Sequence, residues 1–149
     1  MYTHFLLPTD GSELARAGVA HGLSLAKRHG ARVTAIMATE APGGQFAYSS
    51  DLWTPDEAEM AAYEREQSEK AEAILATVKA SAEQLGLEIE TLHVPDRRAA
   101  PAIIDIAAKC GCDVIVMASH GRTGMSRVML GSQTAEVLAI ADVPVIVFR

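Results

Sequence analysis

Cysteine is nearly absent from this chain. Its 149 residues hold only Cys110 and Cys112, one glycine apart. They are too close for an easy disulfide and lack the partner ligands of a structural zinc site. No disulfide framework or metal centre is expected, and both thiols read as reduced and mostly buried. Basic residues are outnumbered, with 13 Lys and Arg against 19 Asp and Glu and a formal net charge of −6. A nucleic-acid binder needs the opposite surplus to neutralise phosphates and release counterions, so that class is set aside. No apolar run approaches the ~20 residues that a membrane helix needs. Met1 to Pro8 shows no basic leader followed by a longer apolar stretch, so neither a membrane nor an export route is expected and the reading is a cytoplasmic protein. Two phosphate-binding signatures are missing as well. Neither Gly-x-x-x-x-Gly-Lys-Ser/Thr nor Gly-x-Gly-x-x-Gly occurs, which removes the usual P-loop chemistry and the dinucleotide fingerprint.

What is present suits one buried core: 49% hydrophobic and 21% charged residues, over a length that fits a single domain, 1–149. Five short apolar runs stand out: Phe5 to Leu7, Val33 to Ala38, Ile89 to Val94, Val114 to Met117 and Val143 to Phe148. Several are continuously apolar, the pattern of parallel strands buried on both faces. Helical stretches separate them. From Ser12 to His29, the residues Ala15, Val19, Gly22, Leu23 and Ala26 share one face, and Gly30 supplies the stop. Pro55 to Leu85 is rich in Ala, Glu and Lys, with Met60, Tyr63, Ile74 and Val78 as core contacts; it reads as a surface helix or a broken pair. Ile103, Ile106, Ala107 and Cys110 mark a third helix over Ala102 to Lys109, and a fourth runs from Ser132 to Ile140. This alternation predicts an α/β fold, a doubly wound five-stranded parallel sheet in a three-layer α/β/α arrangement with right-handed crossovers. Ligands bind such sheets beyond the carboxyl ends of the strands, where the strand order reverses. That rule points to three loops: Pro8 to Ser12, Ala38 to Pro55 and Ala118 to Gly131.

The last of these has the chemistry of an anion cradle. Ala118-Ser119-His120-Gly121-Arg122-Thr123-Gly124 leaves a strand, and Gly131-Ser132-Gln133-Thr134 opens a helix. Glycines let backbone amides approach phosphate oxygens without a Cβ in the way. A helix N-terminus adds unpaired amides and a positive dipole end. Ser132 has a second explanation as a favoured N-cap, and Gly121 and Gly124 have one as turn glycines. The combination of strand end, glycines, flanking His120 and Arg122, and a Gly-Ser helix start favours phosphate.

On these residues the chain resembles the universal stress protein family over nearly its whole length. Pro8-Thr9-Asp10-Gly11-Ser12 is similar to that family's first strand-to-helix turn. Asp113 to Gly121, reading Asp-Val-Ile-Val-Met-Ala-Ser-His-Gly, is similar to its fourth strand and turn, and Val143-Pro144-Val145-Ile146-Val147 to its closing strand. ATP-binding members carry Gly-x-x-Gly, nine residues, then Gly-Ser or Gly-Thr. Here Gly121, nine residues and Gly131-Ser132 match, while Ala118 replaces the first glycine. The resemblance implies an adenine nucleotide alpha hydrolase-like fold with ATP, accompanied by Mg²⁺, as ligand. It implies a site of Pro8, Thr9, Asp10, Ala38, Ala118, His120, Gly121, Arg122, Gly131, Ser132, Gln133 and Thr134. Within that set, Gly121, Gly131 and Ser132 hold the phosphates and the backbone near Ala38 contacts adenine. The Ala118 methyl is expected where the backbone nears ribose and phosphates, weakening binding rather than preventing it. Asp10 is expected on a ribose hydroxyl or a divalent cation, because a carboxylate facing phosphates directly is repelled. Asp10-Gly11-Ser12-Glu13 also suits a plain helix cap. A homodimer through the last strand, Val145 to Phe148, is implied as well and would cover an exposed sheet edge.

Catalysis has thinner support. His120 is the best-placed histidine, yet no nucleophile with an orienting acid is assignable, so no catalytic residue is named. His4, His21, His29 and His93 read as surface or strand-packing residues. Arg127 and the pair Arg97-Arg98 suit phosphate or solvent equally. The stretch Ala41 to Trp53, with Phe46 and Tyr48, is long for a connection and reads as a flexible insertion or a nucleotide lid. The functional expectation is an ATP-binding stress-response or signalling module with at most slow hydrolysis. A nucleotide-free relative that works through protein contacts is the alternative, motivated by Ala118.

Overall fold

The computed structural model describes residues 1–42, 55–121 and 129–149. Strands and helices alternate along them: β1 His4–Pro8, α1 Glu13–His29, β2 Arg32–Ala38, α2 Glu57–Gln84, β3 Ile89–Val94, α3 Ala99–Cys110, β4 Val114–Ala118, α4 Ser132–Ile140 and β5 Val145–Phe148. Phe46, Tyr48, Trp53, Arg122, Gly124 and Arg127 lie outside the described residues, and with them the insertion-or-lid reading.

All strand pairs are parallel, and the five strands form one sheet in the order β3-β2-β1-β4-β5. Successive side chains of a strand leave on opposite faces, which divides the core in two. Phe5, Leu7, Val33, Ala35, Val114 and Val116 pack under α1 and α2, against Val19, Leu23, Leu75 and Val78. Leu6, Ile36, Ile115 and Met117 pack under α3 and α4, against Ile103, Ala107 and Val137. The expected doubly wound three-layer sheet is therefore the observed one. Central β1 and β4 are buried almost throughout, whereas the edge strands β3 and β5 are half-buried. The continuously apolar runs of β1 and β4 belong to the middle of the sheet, whereas that of β5 lies at an edge.

The helix ends follow local chemistry. Ser12 caps α1 by accepting the Ala15 amide at 3.2 Å, and Gly30 closes it at φ 63°. Asp56 and Glu59 form a reciprocal capping box at the start of α2, which is one continuous helix of 28 residues. Its core ridge is Ala71, Leu75, Val78 and Ala82, at the i, i+4, i+7, i+11 spacing of a single face. Of the expected contacts, Val78 is buried and Ile74 flanks the core, while the Tyr63 hydroxyl donates to the Glu40 carbonyl at 3.1 Å. Met60 departs from expectation at 37% exposure, because it sits on the mostly exposed first half of α2, ahead of the core ridge. The third helix starts at Ala99 rather than Ala102. Pro101 falls in its first turn, where a missing N–H has no intrahelical partner to lose. No helix among the described residues is long and apolar enough to cross a membrane.

Two buried features carry measurable consequences. Helix α1 lies so close to β1 that a Cβ on Gly22 would overlap a Leu7 methyl, whereas one on Gly18 would reach only ordinary contact, 3.4 Å from the Ala118 nitrogen. His4, 4% exposed, bonds Thr34 Oγ1 through Nε2 at 2.8 Å, while its Nδ1 is buried without a hydrogen-bond partner. Burial, and then the Arg32 charge, push this imidazole below its usual range. Cys112 is buried too, and burial pushes its thiol up to about 12, so it stays a thiol; both cysteines are free.

Gly22→Ala should destabilise the protein by about 1–3 kcal/mol through overpacking. Gly18→Ala should be neutral or gain the ~0.8–1 kcal/mol of helix propensity; paired denaturant melts check both. For His4, an unfolded imidazole protonates near ~6.5 and the folded one only at lower pH, so stability must fall as pH drops below ~6.5. The urea midpoint should decline from about pH 7.5 to about pH 5.5, and decline less in His4→Gln. Equal declines would remove His4 as the cause.

Candidate functional site

β1 and β4 are neighbours, but only Phe5↔Val114 and Leu6↔Ile115 are in register between them. Beyond Leu6 the strands part, β1 feeding α1 on one face and β4 leading to α4 on the other. A cavity of about 560 Å³ occupies this parting, within the ~300–1,000 Å³ of small-molecule sites. Eleven of the twelve expected residues line it, namely Pro8, Thr9, Asp10, Ala38, Ala118, His120, Gly121, Gly131, Ser132, Gln133 and Thr134. Arg122 lies outside the described residues.

The turn after β1 is knitted by its own side chains. Thr9 Oγ1 accepts the Gly11 amide at 3.2 Å, and Asp10 Oδ1 accepts the Ser12 amide at 2.9 Å. Ser12 is the α1 cap, so Asp10 shapes the turn instead of ending the helix. Asp10 Oδ2 faces Gly121 so closely that a Cβ there would overlap it. The missing side chain of Gly121 is what lets the β1 turn and the chain leaving β4 meet.

At the other rim, Gly131 is the N-cap of α4 and Ser132 its first helical residue, which removes the N-cap explanation of Ser132. A Cβ on Gly131 would lie 3.1 Å from His120 Cα, and the Gly131 amide donates to the Ser119 carbonyl at 2.7 Å. The first amides of α4 have no intrahelical acceptor and sit on the cavity rim. Ser119 Oγ and His120 Nδ1 are 3.1 Å apart.

Several polar groups near the cavity hold its walls. Gln133 Oε1 accepts the Ala100 amide at 2.8 Å, supplying the start of α3 with the cap that Arg98 does not give. The buried Thr134 hydroxyl donates to the Ala118 carbonyl at 3.0 Å, joining α4 to the end of β4. Arg98 grips Glu136 with two bonds of 2.8 and 2.9 Å, and that grip holds the Glu136 carboxyl below its usual range. Arg97 pairs with Asp105 at 2.8 Å, a carboxylate also bonded by Lys109. Both arginines are thus engaged along α3 and α4.

The apolar wall was not anticipated. Ile36, Ile103 and Met117 line the cavity with Ala15, Ala99, Met129 and Leu130. Ile36, Ile103 and Met117 share one core cluster, which strand alternation marks on the sequence only after the strand order is known. Ala118 lines the cavity, and its backbone packs against Gly18 of α1. Ala38 contributes backbone. Along β2, Thr39 N bonds β3 at Val94 O, and Ile36 O receives Thr9 N from the β1 side. Ala38 is the next residue facing β1, where the register ends at Pro8↔Ile36. Its amide and carbonyl are thereby directed past the end of β1.

A doubly wound parallel sheet with a cavity at its reversal point is the architecture of a ligand-binding α/β protein. The model of the Universal stress protein family matches residues 1–149, and this chain belongs to that family. It is 30% identical to a universal stress protein of Methanocaldococcus jannaschii over 149 residues, all of this chain and 83% of the relative. The solved structure of protein MJ0577 from the same organism superposes with a TM-score of 0.82 at 26% identity, covering 99% of this chain and 96% of that one. The universal stress protein of Archaeoglobus fulgidus, solved in complex with dAMP, shares the fold at a TM-score of 0.68 and 17% identity, covering 99% and 98% of the two chains.

Gln133→Ala should cost about 1 kcal/mol in denaturant melts, the size of a lost N-cap. No loss would remove Gln133 as the α3 cap.

Proposed function

We propose that this chain binds ATP, with Mg²⁺, in the cavity between β1 and β4. In this reading residues 1–149 act as one stress-response or signalling domain with at most slow hydrolysis. The observation that carries it is the polarity of that single cavity. At one end are an apolar slot of Ile36, Ile103 and Met117 and the outward backbone of Ala38. At the other are the glycine-bounded start of α4 and His120.

The slot suits a flat purine, and an N–H beside a C=O suits the N1 and exocyclic amine of adenine. Phosphates belong at Gly121, Gly131 and Ser132, where backbone amides and a helix dipole favour negative charge. Asp10, on the rim between β1 and α1, belongs on ribose hydroxyls or on the cation that accompanies the phosphates. Ala118 adds a single methyl at the cavity wall, so the replacement of the motif glycine is compatible with binding. The dAMP held by the Archaeoglobus fulgidus relative supports an adenine ligand.

The half-buried edge strand β5 adds a partner to this reading. Leu138 and Ile140 on the preceding helix are 42% and 49% exposed. A second copy pairing along β5 would cover that edge, and a cytoplasmic homodimer is the proposed form.

Heat-released supernatant should contain an adenine nucleotide, and titration calorimetry with ATP and Mg²⁺ should give saturable binding that GTP does not match. Gly131→Val should weaken it at least about tenfold, or ~1.4 kcal/mol, by driving a side chain into His120. A wild type that ignores millimolar ATP would transfer the protein to the nucleotide-free, protein-contact class. Sedimentation at micromolar concentration should show a dimer; a monomer would refute the β5 pairing.

A further inference from the structure

Ser119 stands between the end of β4 and the cavity, and its backbone is held on both sides. Its amide donates to the Phe148 carbonyl at 2.8 Å and its carbonyl accepts the Gly131 amide at 2.7 Å. The residue is 5% exposed, and among the described residues His120 Nδ1 is the one hydrogen-bond partner of its hydroxyl, at 3.1 Å. Ser119 does not line the cavity, whereas His120 does.

The protonation pattern follows from satisfying the buried hydroxyl. A buried O–H without an acceptor is costly, and the lone pair of an imidazole nitrogen is a good acceptor. Ser119 therefore donates to Nδ1, and the neutral ring carries its own proton on Nε2. The opposite arrangement, Nδ1–H donating to Ser119, would leave the serine proton buried with nothing to receive it.

We infer that Ser119 is a positioning residue, which fixes the tautomer and orientation of His120 so that an Nε2–H donor addresses an anionic oxygen in the cavity. Resting on the nucleotide reading, this makes that oxygen a phosphate oxygen, and Ser119 acts on it only through His120. A ring already protonated at Nε2 cannot take a proton from an attacking water at that atom. The pair is thus arranged to hold a phosphate rather than to activate its hydrolysis, which gives the slow turnover proposed above a structural cause.

The test uses the full chain labelled with ¹⁵N. In the wild type, with and without ATP, the His120 shifts should report an unprotonated Nδ1 and a protonated Nε2. Ser119→Ala should lose that preference and bind ATP about fivefold to tenfold more weakly, the size of one hydrogen bond. Ser119→Thr, which keeps the hydroxyl, should restore both. In a His120→Gln background, Ser119→Ala should cost no further affinity, an outcome that a general packing role for Ser119 would not produce. An Nδ1–H tautomer in the wild type, or additive losses in the double variant, would overturn the inference while leaving nucleotide binding intact. Failure of the wild type to bind ATP would instead overturn the nucleotide reading. The tautomer measurement would then still decide whether Ser119 sets the His120 ring.

Discussion

The parting of β1 and β4 is the constraint on which the rest of this molecule depends. Two parallel neighbours remain in register for only two residue pairs and then deliver their chains to opposite faces of the sheet. A right-handed crossover from β1 to β2 demands one face, and the step from β4 to β5 on the other side of the sheet demands the opposite one. The chains leaving β1 and β4 diverge there, so a cavity opens between them, with α3 as one of its walls. The apolar residues that floor it, Ile36 and Met117, belong to the same core cluster that seats α3 and α4. Folding the sheet and forming the site are consequently one event.

The rim of that cavity is set by close backbone approaches and by polar groups that tie elements together. Gly121 admits the Asp10 carboxylate, and Gly131 admits the His120 backbone. Ser119 joins β5 to the start of α4 through its own amide and carbonyl. Thr134 and Gln133, adjacent in sequence, reach in different directions, one back to β4 and the other across to α3. Each of these bonds satisfies a backbone group at an element end, and each also fixes a point on the wall.

The chemistry available there is unequal. Donors are plentiful at the start of α4, and the apolar wall is extensive. Among the described residues that line the cavity, Asp10 and His120 are the titratable ones. Asp10 already accepts a backbone amide of its own turn, and the group beside His120 Nδ1 is a serine hydroxyl rather than a carboxylate. Nothing in this set pairs a nucleophile with an oriented base. The arrangement is an apolar slot that ends at the hydrogen-bond donors of the α4 start.

The sequence by itself determined the element order and the parallel sheet, and it named the loops that line the cavity. Those follow from local periodicity, glycine placement and the rule that ligands gather at strand ends. Every described residue in the expected set lines the cavity, but their individual tasks were less legible. The N-cap alternative for Ser132 falls to Gly131, and Gln133, which lines the cavity, also closes the start of α3. Met60 looked like core and lies on the exposed half of α2. The apolar wall and the outward backbone of Ala38 were decided by tertiary structure alone. Each depends on which strand lies next to which and where their registers end. Those pairings join residues far apart in the chain, which local periodicity does not encode.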